Sequence, residues 1–83
     1  MDLLYFAWVR ESIGTGAESV DPPEAVVNVA DLICWLSQHS PGHAAAFADP
    51  ARLRAAIDQR FVPLDAELGN AKEVAIFPPV TGG

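Results

Sequence analysis

The chain has 83 residues, 51% of them apolar, and a formal net charge of −6 from eleven acidic and five basic side chains. That length predicts one domain, which buries only about 60–65% of its unfolded surface and leaves room for one core but little for an enclosed active site. The apolar share argues against disorder. The few basic residues are scattered, so there is no basic stripe for nucleic acid or an anionic membrane; an acidic surface suits a partner with a basic rim. Cys34 is the only cysteine, which rules out an internal disulfide. The N-terminus lacks the basic start of a secretory signal, and no apolar run approaches a membrane span. A soluble cytoplasmic protein is the expectation.

Leu3 to Val9 is a continuous apolar run and reads as a strand buried on both faces. Gly14 and Gly16 mark a turn, and Ala17 to Val20 reads as a second strand in a hairpin with the first. Asp21-Pro22-Pro23 ends it. Asn28 to Gln38 is the main predicted helix, with Val29, Leu32, Ile33 and Leu36 forming one apolar stripe. Asn28 fits an N-cap, and Asp31 suits the positive helix start. Ser40-Pro41-Gly42 stops the helix, and His43 to Ala48 is expected to be a short alanine-rich turn. Leu53, Ala55 and Ile57 alternate as a third strand. Asp58-Gln59-Arg60 reads as a turn, Phe61-Val62 as a brief strand, and Gly69-Asn70 as another turn. Glu73 to Phe77 is the last strand, with Val74 and Ile76 on one face and Ala75 and Phe77 on the other; it is apolar on both faces like the first, so these two are expected to be central neighbours. The expectation is an α+β chain of the β-grasp type, with a mixed sheet on one main helix, although this pattern leaves other α+β folds open.

Residues 1–77 are expected to form the domain and 78–83 an extended, flexible tail reading Pro78-Pro79-Val80-Thr81-Gly82-Gly83. Two prolines straight after a strand hold the backbone extended and remove two amide donors. Gly82 and Gly83 carry no side chains, which lets a tail enter a narrow tunnel and approach a ligand closely. Such a tail suits chemistry on its own α-carboxylate. A carboxylate is a poor acyl donor, but joining it to AMP gives a mixed anhydride, and a sulfur nucleophile then yields a thiocarboxylate.

Phe6-Ala7-Trp8-Val9-Arg10-Glu11 near the start and Phe77-Pro78-Pro79-Val80-Thr81-Gly82-Gly83 at the end, with the helix between, resemble the small subunits of molybdopterin synthases. The resemblance spans essentially the whole chain. It implies a ubiquitin-like β-grasp fold and a sulfur carrier in molybdenum cofactor biosynthesis. A MoeB-type adenylyltransferase would activate Gly83 with ATP through a transient acyl-AMP, and a sulfurtransferase relay would supply sulfur. The thiocarboxylate would then donate sulfur to cyclic pyranopterin monophosphate inside the large (MoaE-like) synthase subunit. That subunit would hold the catalytic groups, within a heterotetramer. No tightly bound cofactor and no metal are implied. Gly83 matches the sulfur-bearing position and Gly82 its slender neighbour. Phe6, Phe61 and Phe77 match apolar interface positions and Arg10 a polar one, with Pro78, Pro79, Val80 and Thr81 leading into the partner. Phe61 stands where the family often has an aliphatic residue.

Taken singly, the three phenylalanines fit core positions and Arg10 a solvated charge; clustered on one face, the rings would mark a partner footprint. Cys34 is expected as a small buried hydrophobe rather than a redox group. His39 and His43 are separated by Pro41-Gly42, which argues against a shared metal. Trp8 and Trp35 are expected to pack, and Asp58, Asp65 and Glu67 to face water. No serine has a visible partnering base. Two other functions share the tail chemistry: a ubiquitin-like modifier that forms isopeptide links, and a sulfur carrier for another pathway such as thiamine.

Overall fold

The computed structural model describes residues 1–79. The expectations placed on Val80, Thr81, Gly82 and Gly83 lie outside the described residues. The chain order is β1 (Asp2–Tyr5), α1 (Ala7–Ile13), β2 (Ala17–Ser19), α2 (Val29–Leu36), α3 (Pro41–Ala46), a 3-10 turn (Pro50–Arg52), β3 (Arg54–Ile57), β4 (Arg60–Val62) and β5 (Glu73–Phe77). The five strands form one sheet in the order β2-β1-β5-β3-β4. β1 and β5 run parallel and the other pairs antiparallel. This mixed sheet backed by helices is the expected β-grasp fold, with β1 and β5 as neighbours at its centre.

Among the described residues the helical layer covers one face. Leu3 and Tyr5 of β1 and Val74 and Ile76 of β5 point into it and meet Val29, Leu32, Ile33 and Leu36 of α2, with Val9, Ala46 and Phe47 alongside. These apolar side chains drive the fold, each worth about 1.5–3 kcal/mol when fully removed from water. α2 begins in a capping box. Asn28 Oδ1 accepts from the Asp31 amide at 2.8 Å while the Asp31 carboxylate accepts from the Asn28 amide at 3.4 Å.

Several expectations need correction. The first apolar run is not one strand: β1 stops at Tyr5, Phe6 is an N-cap, and Ala7 turns the chain through a left-handed φ of 54° into α1. Val9 and Ile13 form the inner stripe of that helix, a four-residue spacing hidden by Arg10-Glu11-Ser12 between them. β1 and β2 therefore pair as expected but are joined through a helix, not a tight hairpin. Ser40-Pro41-Gly42 ends one helix and also starts α3, because Ser40 Oγ accepts from the His43 amide at 3.1 Å and Pro41 takes the first helical position. Cys34 is exposed; one residue beyond Ile33 rotates it about 100° off the buried stripe of α2.

A polar staple ties β1 and β2 to α3. Glu18 Oε2 accepts from the Tyr5 hydroxyl and from His43 Nε2, both at 2.7 Å, and Ser40 Oγ lies 2.7 Å from His43 Nδ1. An ionised carboxylate only accepts, so His43 donates to it from Nε2. Ser40 therefore has a histidine beside it, a partner the sequence pattern did not make visible. Burial pushes the Glu18 carboxyl upward, but the hydrogen bonds from His43 and Tyr5 outweigh it and hold the carboxyl below the usual carboxylate range. Burial, reinforced by Glu18, pushes the Tyr5 hydroxyl far up, so it stays a donor.

Two outcomes follow for stability. A lowered folded value means that the Glu18 contribution is complete above the titration of an unfolded glutamate, about pH 4.3, and disappears as pH falls through the folded value. Urea unfolding across pH 6 to 2.5 should therefore show Glu18→Gln losing less stability on acidification than the native chain; parallel curves count against the staple. Gly42 packs against α1, where an added Cβ would overlap the Ser12 carbonyl oxygen. A helical Gly→Ala change ordinarily gains about 0.5–1 kcal/mol. Here the overlap wins, so Gly42→Ala should cost about 1–3 kcal/mol net, read as a fall in Tm of roughly 4–8 °C per kcal/mol.

Candidate functional site

The other face of the sheet carries no helix among the described residues, and strand register sets its pattern. Leu4 of β1 stands opposite Ala75 of β5, Ala75 opposite Ala56 of β3, and Ala56 opposite Phe61 of β4. Ala56 and Ala75 are only 6% and 9% exposed, yet they belong to no part of the helical core. They are the floor of an open depression of about 760 Å³ walled by Phe6, Phe61, Phe77, Pro78 and Pro79.

Phe61 is 82% exposed and Phe6 48%. The Phe61 and Phe77 rings pack with centroids 5.7 Å apart at 52°, a tilted aromatic pair. A tight hairpin presents Phe61. Ile57 pairs with Arg60 across Asp58 and Gln59, both left-handed at φ 47° and 72°. Two left-handed residues make the turn whose twist matches the strands. Asp58 Oδ1 fixes it by accepting from the Lys72 and Glu73 amides at 3.1 and 3.0 Å. Asp58 thus faces water, as expected, while also tying the hairpin to β5.

The three phenylalanines expected at an interface therefore share one face, and Pro78 and Pro79 join them. Arg10 does not. It is exposed on α1, its side chain lies against Gly16, and it lines no part of the depression. Ala75 shares the face of Phe77 as the alternation of the last strand predicted, whereas Leu4 and Ala56 were missed, because the first apolar run read as one strand buried on both faces and Ala55, not Ala56, marked the third. The same period-2 alternation, applied to β1, was the available signal that separates Leu4 from Leu3 and Tyr5. Trp8 and Trp35 pack as expected, Trp8 beneath the Arg52 guanidinium at 5.0 Å and Trp35 against His39.

The arrangement offers no cluster of reactive side chains at the depression. It offers an exposed apolar surface beside the point where β5 ends at Phe77 and prolines halt strand pairing. Such a face suits docking against another protein.

Comparison with known proteins agrees with this architecture. The chain is 38% identical over 84 residues to the molybdopterin synthase sulfur carrier subunit of Escherichia coli, covering 98% of this chain and 96% of that one. Its identity to the Haemophilus influenzae subunit of the same name is 35%, covering 100% and 99%. A solved Pyrococcus furiosus structure, described as a putative molybdopterin converting factor subunit 1, superposes with a TM-score of 0.73 at 30% identity over 95% of each chain. The structure of SAMP1 from Haloferax volcanii shares the fold, with a TM-score of 0.69 at 22% identity over 99% and 97%. The sequence model of the ThiS family matches residues 3–83, and the chain belongs to that family.

Proposed function

We infer that this chain is the sulfur-carrier subunit of a molybdopterin synthase and that the Gly83 carboxylate carries the sulfur. The observation that supports this most directly is the near-full-length likeness, at 35–38% identity, to two bacterial subunits of that name. The sequence Phe77-Pro78-Pro79-Val80-Thr81-Gly82-Gly83 supports it as well, since the family match runs to residue 83.

The chemistry proceeds in two activations. The Gly83 carboxylate attacks the α-phosphate of ATP on a MoeB-type adenylyltransferase, releasing pyrophosphate and leaving an acyl-adenylate. A persulfide carried by a sulfurtransferase then displaces AMP to give an acyl disulfide, and a thiol attacking the carrier's sulfur releases the thiocarboxylate and is itself left in a disulfide. The tail next enters the large synthase subunit, whose catalytic groups move the sulfur to cyclic pyranopterin monophosphate; a second charged tail completes the dithiolene. The globule holds and addresses the tail. Phe6, Phe61, Phe77, Pro78 and Pro79 form the docking face on the large subunit, within a cytoplasmic heterotetramer. Arg10 is at most a peripheral contact, because it lies outside the depression.

Intact mass spectrometry of the chain incubated with ATP, a matching adenylyltransferase and a sulfur donor should show one oxygen exchanged for sulfur at the C-terminus. Deleting Gly83 should abolish that change and all sulfur transfer while leaving the Tm unaltered. Isopeptide-linked ladders in extract instead would identify a protein modifier, and rescue of a thiamine-deficient strain but not a molybdenum-cofactor-deficient one would identify another pathway.

The docking face gives a separate expectation. Burying an exposed phenylalanine is worth about 1.5–3 kcal/mol, so Phe61→Ala should weaken binding to the large subunit roughly 10- to 100-fold by calorimetry. Its exposure means that Tm should hold. Unchanged affinity would remove Phe61 from the interface.

A further inference from the structure

The uncovered face is polarised along the strands. Three successive rows cross it in register. At the end where β5 stops, Phe77 stands opposite Arg54 of β3, with Phe6 at the end of β1 beside the same depression. The middle row is Leu4, Ala75, Ala56 and Phe61. The far row begins with Asp2 opposite Glu73, and the Asp58 amide donates to the Glu73 carbonyl at 2.9 Å.

That far row opens into a second depression of about 460 Å³. It is lined by Asp2, Asp58, Glu73, Gln59 and Lys72 and shares Gln59 and Glu73 with the apolar one. Three carboxylates there face one ammonium. The only ion pair among the described residues is His43 with Glu18, so none of the three has a cationic partner within ion-pair distance. The apolar depression therefore continues without a break into an acidic notch at the end farthest from the tail.

We propose that this face docks the large synthase subunit in one direction: an apolar ridge of the partner fills the floor over Ala75 and Ala56, and cationic side chains of the partner enter the notch at Asp2 and Glu73. This rests on the functional reading above and names the chemistry that face must meet. Apolar burial is non-directional and would tolerate a partner reversed end for end. Unpaired charge at one end does not, because reversal sets carboxylates against an apolar surface and leaves the partner's cations unmatched. The notch lies at the start of β5 and the tail leaves from its end, so charge at one end points the tail at the partner's active site. Surface charge of this kind acts mainly on the rate of association and its dependence on salt, whereas shape at the floor acts on the rate of dissociation.

The test is stopped-flow association and dissociation of the full chain with the large subunit of the same synthase, from low to physiological ionic strength. Asp2→Asn with Glu73→Gln should slow association about three- to tenfold at low salt, flatten its salt dependence and leave dissociation unchanged. Glu24→Gln with Asp65→Asn makes the same change in net charge outside both depressions and should leave association within about twofold of the native chain. Ala75→Leu should speed dissociation about tenfold or more at every salt concentration. Should Ala75→Leu fail to fold, Ala56→Leu fills the same floor from β3. Native association by the Asp2/Glu73 variant, or equal slowing in both double variants, overturns the directional notch. Native dissociation after filling the floor overturns the ridge. Failure of the native chain to bind the large subunit at all overturns the functional reading itself, an outcome distinct from the other two.

Discussion

Everything in this molecule depends on the parallel pairing of β1 with β5 in a single register. Tyr5 lies opposite Ile76 and Leu3 opposite Val74, which sends the large side chains of both strands under α2; Leu4 then falls opposite Ala75 on the far side. Slipping one strand by one residue would turn its own set over: in β1 it would place Leu4 beneath the helices and Tyr5 in water, and in β5 it would do the same with Ala75 and Ile76. The same register brings Phe6 and Phe77 to one end and Asp2 and Glu73 to the other. The core and the uncovered face are thus two sides of one pairing, and neither can be changed alone.

A sheet with two apolar faces and one helical layer leaves a face uncovered. Among the described residues no second helical layer lies over it. The exposed Phe61 is a self-association hazard, and two features oppose it. The net charge of −6 keeps copies apart. The outer strands β2 and β4 are only three residues long and offer little edge for pairing. The rigid hairpin at Asp58 and Gln59 matters for the same reason: an exposed ring held in place costs less entropy to dock than one on a loose loop.

Much of this was legible in the sequence. The stripe of α2, its Asn28 cap, the two doubly apolar central strands and the turn before Phe61 all follow from local patterns that the tertiary structure leaves intact. The failures share a cause. Phe6 to Val9 is apolar in either period, and only the left-handed Ala7 decides that a helix starts there; nothing in an alanine announces a positive φ. The Glu18–His43 contact joins residues 25 apart in sequence, so no local rule could find it. The depression was half legible. The three phenylalanines were singled out through the family likeness and Ala75 by the alternation of its strand, but Ala56 beside it and the acidic row emerge only once four strands are laid in register.

The staple of Tyr5, Glu18, His43 and Ser40 has the composition of an acyl-transfer relay, yet its hydrogen bonds argue for a structural role. Glu18 Oε2 is occupied by two donors, and both His43 ring nitrogens are engaged. Ser40 Oγ is the cap of α3 as well as the partner of His43 Nδ1, so a nucleophilic role would undo a helix start. What the staple does is anchor α3 to the two strands at one side of the sheet, holding the helical layer on a single face. A helix sliding around that side would compete with any partner for Leu4 and the alanine floor. A buried polar network specifies one arrangement where apolar packing would tolerate several, and in this chain the arrangement it specifies is the one that keeps the opposite face open.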